Sequence, residues 1–152
     1  MEQSDNGNIQ TLPMSARHVL RGVHRLLLAE GYSPIAEFCL ANGRRLDVAA
    51  LGPDGTILGV EIKVSLADFR ADAKWPDYLG FCDLFYFAVP PEFPREHLPA
   101  DTGLMIADRY GGEIVRSSMR NAVHPSRRKA VTLRFAKLAA ERLTRVLDPD
   151  GK

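Results

Sequence analysis

The segment Gly52-Pro53-Asp54-Gly55-Thr56 separates two runs of alternating apolar residues, 45–51 (RLDVAAL) and 57–64 (ILGVEIKV), and it leaves them little choice in how to pair. Pro53 presets φ for the first position of a type I turn and Asp54 suits the second. Gly55 takes the left-handed conformation that closes a three-residue hairpin loop with a bulge. In that register Gly52 faces Thr56, and Asp47 falls opposite Glu61 on the same side of the sheet. Their Cβ atoms would be about 4.5–5.5 Å apart.

The alternation of side chains supports this pairing. One face carries Leu46, Val48, Ala50, Leu58, Val60, Ile62 and Val64, all apolar, and is expected to be the core face. The other carries Asp47, Ala49, Leu51, Ile57, Gly59, Glu61 and Lys63. A slip of one residue would set the two faces against each other. Like charges placed opposite on a sheet repel, so Asp47 and Glu61 require either good solvation or a cation. A solvated strand surface is one account of this face. A hard cation such as Mg²⁺, which takes one or two carboxylates plus phosphate oxygens, is the other. Arg45 faces Lys63 in the same register, and two cations there ask for an anion between them unless both bend into water.

The remaining elements make one α/β domain over 14–147, between a disordered tail (1–13) and a short C-terminal tail (148–152). Ser15 to Glu30 reads as a helix, capped by Ser15, striped by Val19, Val23, Leu26 and Leu27, and stopped by Gly31. Residues 34–41 read as a strand. Ser65 with Asp68 resembles a capping box opening a helix that runs to Trp75-Pro76. The run 83–89 (DLFYFAV) has the character of a strand buried on both faces. A hairpin is expected from 103–108 and 113–116. A last helix runs from about Ser126 to Leu147, with Val131, Phe135, Leu138 and Leu143 as its apolar contacts.

Composition narrows the function classes. The net charge is +1, so the chain is not a basic nucleic-acid binder as a whole. Cys39 and Cys82 lie in apolar runs and are expected as reduced thiols in the core. Residues 1–13 lack the apolar stretch of a secretory signal, and no segment approaches the ~18 apolar residues of a membrane span. The expectation is a cytoplasmic protein without a membrane partner. No oligomeric interface is legible.

Asp47 followed by Glu61-Ile62-Lys63 on a hairpin that leads into a helix resembles the PD-(D/E)XK nuclease signature. The longer stretches GRRLDVAAL (43–51), GVEIKVSLADFRADAKWPDY (59–78), CDLFYFAVP (82–90), GLMIADRYGGEIV (103–115) and RRKAVTLRFAKLAAERL (127–143) resemble the MmcB-like family of bacterial DNA repair proteins. The resemblance implies a restriction-endonuclease-like core, a mixed β-sheet flanked by helices. It implies Asp47 and Glu61 as Mg²⁺ (or Mn²⁺) ligands, with the backbone carbonyl of Ile62 completing the set. Lys63 would assist the attacking water in phosphodiester hydrolysis. The position before Asp47 is Leu46 where many superfamily members have proline. A further acidic ligand would come from Glu37 or Glu30, with Glu37 preferred. A non-catalytic DNA-binding or adaptor module keeping the same fold is the alternative. The implied partners are DNA and other repair proteins.

Charge asymmetry marks where DNA would lie. Every charged residue from Ile114 to Ala140 is basic. Arg127, Arg128 and Lys129, at the start of the last helix, are the preferred phosphate contacts. Arg44 and Arg45 flank Asp47. Arg70 and Lys74, four apart, are expected to share a helical face near the motif. An ordinary wet helix face is the other account of the basic residues on the last helix.

Overall fold

The computed structural model describes residues 15–151; the expected tail 1–13 lies outside them. The elements are α1 (Ala16–Ala29), β1 (Ser33–Cys39), β2 (Arg45–Leu51), β3 (Ile57–Ile62), α2 (Leu66–Ala71), a 3₁₀ helix (Trp75–Phe81), β4 (Leu84–Val89), a short 3₁₀ turn (Arg95–His97), β5 (Gly103–Ala107), β6 (Gly112–Arg116) and α3 (Pro125–Leu147). The strands form one six-stranded sheet in the order β1-β2-β3-β4-β5-β6. β1, β2 and β3 are antiparallel, β3, β4 and β5 are parallel, and β6 returns antiparallel to β5. This is the expected mixed sheet with flanking helices, compatible with a restriction-endonuclease-like core.

The hairpin takes the expected register, with Val48 opposite Val60, Ala49 opposite Gly59 and Leu51 opposite Ile57. Gly55 sits at φ 86°, where a side chain would be strained. The Gly55 amide donates to the Gly52 carbonyl at 3.0 Å, and the Gly52 amide to the Thr56 carbonyl at 2.9 Å. Asp54 closes the turn by accepting from the Thr56 amide at 3.0 Å.

Both faces of the sheet are covered, so of the two accounts of the Asp47–Glu61 face the solvated strand surface does not hold. All six residues of β3 are buried. On one side Val48, Ala50, Leu58 and Val60 pack with Val19, Val23 and Leu27 of α1. On the other, Phe38, Ala49, Ile57, Phe85 and Phe87 pack with Tyr78 and Phe81 of the 3₁₀ helix and Val131 and Phe135 of α3. Leu46 belongs to this second cluster and not to the Val48 face. Alternation breaks there because Glu37, between the paired residues Ala36 and Phe38 of β1, takes φ 52°. Arg142 of α3 holds that kink by donating to the carbonyls of Ala36 and Glu37.

The helices start as expected and depart from expectation in two places. Ser15 caps α1, its hydroxyl accepting from the His18 amide. α2 begins as expected, with Ser65 accepting from the Asp68 amide at 3.1 Å, but it ends at Ala71 and not at Trp75. The reason is local: Asp72 turns extended, and its carboxylate accepts from the Lys74 amide at 2.8 Å, an Asx turn competing with the helix. On α3, Leu143 is exposed, where an apolar core contact was expected. Cys39 is also exposed, whereas Cys82 is buried, and both thiols are free.

α1 approaches the β5–β6 hairpin closely enough to require a glycine. A Cβ on Gly22 would lie 2.0 Å from the Asp108 carbonyl oxygen and 2.5 Å from that of Gly111. At the far side, Asp83 ties α3 to the sheet. Its buried carboxylate accepts from the amides of Ile57 at 2.8 Å and Val123 at 3.2 Å, and from both Nη atoms of Arg128.

Candidate functional site

The β2–β3 ladder stops at Val48 and Val60, one residue short of Asp47 and Glu61. From there the two carboxylates replace backbone pairing. Glu61 Oε1 accepts from the Asp47 amide at 3.0 Å, and Asp47 Oδ2 accepts from the Ile62 amide at 2.7 Å. Each acid is thus anchored to the opposite strand by one oxygen. In an extended residue the N–H and C=O leave toward the same strand edge, so the Ile62 carbonyl also faces β2 at this point.

The site is not a wet surface. Glu61 is 5% and Lys63 6% exposed, while Asp47 is half-buried. Burial, followed by the charge of Asp47, pushes the Glu61 carboxyl up to about 8, against the opposing pull of the Asp47 amide and Lys63. Burial likewise raises Asp47, with the Ile62 amide, Lys63 and Arg45 pulling the other way. Two carboxyls in this setting are poorly tolerated as a doubly charged pair, and a cation between them would reverse that preference.

Lys63 does not pair with either acid. Its Nζ lies 2.8 Å from Asp72 Oδ2, with both side chains largely buried. Burial alone would lower the Lys63 pKa, but the hydrogen bond and charge of Asp72, with Asp68 and Glu61, raise it. For Asp72, burial pushes upward and is outweighed by Lys63 and the Lys74 amide, so its pKa falls. Asp72, delivered by the early end of α2, is thus the anion beside Lys63, while the Arg45 side chain is exposed to water. Tyr78 also belongs to the surroundings. Its hydroxyl donates to the Arg45 carbonyl at 3.1 Å, and burial with the neighbouring Glu61, Asp72 and Asp47 pushes the phenol up to about 12. Sequence spacing gave no signal for Tyr78 or for Asp72 as members of this site.

Of the acids expected as a third ligand, Glu37 lies across from Asp47 in the β1–β2 register, between the Ala36–Val48 and Phe38–Leu46 pairs. Glu37 is exposed and lines a cavity of about 990 Å³ between β1 and α3. Glu30 caps the end of α1. Among the described residues no three His, Cys, Asp or Glu side chains come together in a metal-binding group. Asp47, Glu61 and the Ile62 carbonyl are the groups that could hold a metal ion, and two carboxylates with one carbonyl would suit a hard ion that keeps several waters.

The expected DNA contacts divide into two places. Arg44 and Arg45 lie at the start of β2, beside Asp47; Arg44 pairs with Asp77 at 3.0 Å, and Arg45 is exposed. Arg70 and Lys74 are exposed, but α2 ends between them, so they share no helical face. Arg127, Arg128 and Lys129 lie at the other end of β3. Arg128 bonds to Asp83 and to the Gly55 carbonyl in the hairpin turn. Glu61 is four residues farther along the strand from Ile57, about 13 Å at the usual rise. Arg127 donates to the Gly80 carbonyl and stands over the Phe81 ring at 4.5 Å. Lys129 is exposed.

The aromatic residues of 83–89 are core, as expected. Phe69 and Trp75 both pack edge-on against Phe87, with centroids at 5.5 Å and 5.4 Å, and Trp75 stacks on Phe85 at 6.0 Å. These contacts hold α2 and the 3₁₀ helix over the Glu61 end of β3, since Phe87 pairs with Glu61 in the parallel ladder.

No helix among the described residues is long and apolar enough to cross a membrane. No curated protein matches the sequence. A solved structure, described as the SPO1766 protein of unknown function from Silicibacter pomeroyi, is similar to this chain. It has 46% sequence identity and a TM-score of 0.88, over 95% of this chain and 97% of the other. The model of the family described as DNA repair protein MmcB-like matches residues 5–150, a span that includes Asp47, Glu61, Lys63 and Asp72. The chain belongs to the MmcB-like family of DNA repair proteins.

Proposed function

We propose that this chain is a divalent-metal-dependent DNA phosphodiesterase of the PD-(D/E)XK type. The observation that carries the reading is the pair of cross-anchored carboxylates, Asp47 and Glu61, at the splayed end of β2 and β3 with Lys63 next along the strand. Asp47, Glu61 and the Ile62 carbonyl would hold Mg²⁺ or Mn²⁺. Such an ion, when bound, acts as a Lewis acid on a phosphoryl oxygen and makes bound water more acidic. The chain's own contribution is positional. The backbone bonds to Asp47 and Glu61 fix both carboxylates before any ligand arrives, and the buried Lys63 supplies a fixed positive charge where negative charge develops on a phosphate. Arg44 and Arg45, beside Asp47, would contact the DNA backbone.

The test is incubation of the purified protein with branched, nicked, mismatched and single-stranded DNA, with Mg²⁺ or Mn²⁺. Cleavage lost in Glu61→Ala supports the reading. Absence of cleavage by the unaltered protein, or equal cleavage by Glu61→Ala, defeats it.

One observation favours the second reading, a non-catalytic DNA-binding or adaptor module: Lys63 is engaged by Asp72 rather than by the metal-site acids. That reading predicts salt-sensitive DNA binding without turnover, insensitive to Lys63→Ala.

A further inference from the structure

We propose that Asp72 is a positioning residue, whose carboxylate holds the Lys63 ammonium in place beside the Asp47–Glu61 pair. The inference rests on the phosphodiesterase reading, because it concerns the same site. A lysine side chain has many rotamers and does not stay in one place unaided. A buried ammonium also requires a partner. Here the partner is Asp72 Oδ2 at 2.8 Å, with only 8% and 12% of the two side chains exposed. This is not a loose surface pair.

Asp72 is itself fixed from three directions. Its other oxygen accepts from the Lys74 amide at 2.8 Å. On either side along the chain, Phe69 and Trp75 rest on one ring, Phe87. Phe87 in turn is the ladder partner of Glu61. The position of the Lys63 ammonium is thus referred through Asp72 and Phe87 back to the strand that carries the acids. One of the three ammonium donors is spent on Asp72, leaving two for other partners. The end of α2 at Ala71 is what makes this possible, because a helix continued to Trp75 would not turn Asp72 extended.

The experiment compares the full chain with Asp72→Asn, which keeps the shape and removes the charge, and Asp72→Ala. Two readouts are taken at a temperature where all three are folded by circular dichroism. The first is the rate of reductive methylation of Lys63, followed by mass spectrometry. The second is kcat and KM for DNA cleavage with Mg²⁺. Expected is slow methylation of Lys63 in the unaltered protein and a rise of about tenfold or more in both variants. A fall in kcat of about tenfold or more with little change in KM should accompany it, as for a misplaced catalytic group. Equal methylation of Lys63 in all three proteins overturns the proposal, as does an unchanged kcat in folded variants. A lowered melting temperature with neither readout moved reduces Asp72 to a structural role and overturns it too. If the unaltered protein cleaves no DNA, the phosphodiesterase reading fails separately, and the methylation arm alone decides whether Asp72 holds Lys63.

Discussion

Asp47 and Glu61 each accept a backbone amide from the opposite strand, Glu61 from Asp47 itself and Asp47 from Ile62. The carboxylates are part of the sheet's hydrogen bonding, not appendages to it. They are therefore held close together at the expense of their ionisation.

That expense makes stability depend on pH. The folded-state pKa of Glu61, about 8, lies above its ordinary value of 4.5. The folded protein holds this proton more tightly than the unfolded chain. The stabilisation is full below about pH 4.5 and is lost as pH rises through 8. In chelator, the melting temperature should fall over that window, and in Glu61→Gln the fall should be much smaller. Mg²⁺ should restore stability mainly above pH 7, with proton release on binding measurable by calorimetry in two buffers.

The Asp83–Arg128 clamp predicts the opposite slope in acid. Burial favours the neutral carboxyl, but Arg128 and the amides of Ile57 and Val123 outweigh it and hold Asp83 at about 2. Its contribution is present above the ordinary value of 3.8 and is lost as pH falls toward 2. Arg128→Ala strands a buried carboxylate. Because Arg128 is itself a third exposed, the expected loss is about 2 kcal/mol, below the usual range for breaking a fully buried pair. Urea unfolding at pH 7 and pH 3 measures both effects, and the variant should differ less from the parent at pH 3.

Glu37 occupies a backbone conformation that favours glycine. Glu37→Gly should stabilise the protein by about 1 kcal/mol, the lower end of the strain such a residue carries. The Mg²⁺-induced rise in melting temperature should be unchanged, since Glu37 does not join Asp47 and Glu61. A loss of the Mg²⁺ response in this variant would return Glu37 to the ligand set.

Gly22→Ala tests the seating of α1. The added methyl meets two carbonyl oxygens that belong to the β5–β6 hairpin backbone and cannot rotate away. Helix propensity alone would favour alanine by about 1 kcal/mol. Overpacking should win, with a net loss of about 2 kcal/mol in urea unfolding.

What could be read from the sequence followed from local chemistry. Pro53-Asp54-Gly55 dictates its own turn, and the turn dictates which residues of β2 and β3 face each other; Asp47 and Glu61 were legible for that reason. The covering of their face was not. It depends on Phe69, Trp75 and Phe135 arriving from distant segments, and strand alternation says nothing about them. Asp72 was hidden by a helix that stops early, where an Asx turn competes with helical periodicity. Leu46 was misassigned because the kink at Glu37 lies on the neighbouring strand, held by an arginine more than a hundred positions away. The basic residues of α3 were visible as charge, but not as donors to carbonyls of β1 and the loops.

Those donors have a consequence for the sheet's open side. Among the described strands β1 pairs with β2 alone, and a bare strand edge is a template on which another chain can add a strand and begin a fibril. Arg134 and Arg142 fill that role first, capping the carbonyls of Cys39, Ala36 and Glu37 with bulky cations. Any incoming strand would have to displace guanidinium groups and accept a kinked template. The same helix that covers the core thus guards the β1 edge against an added strand.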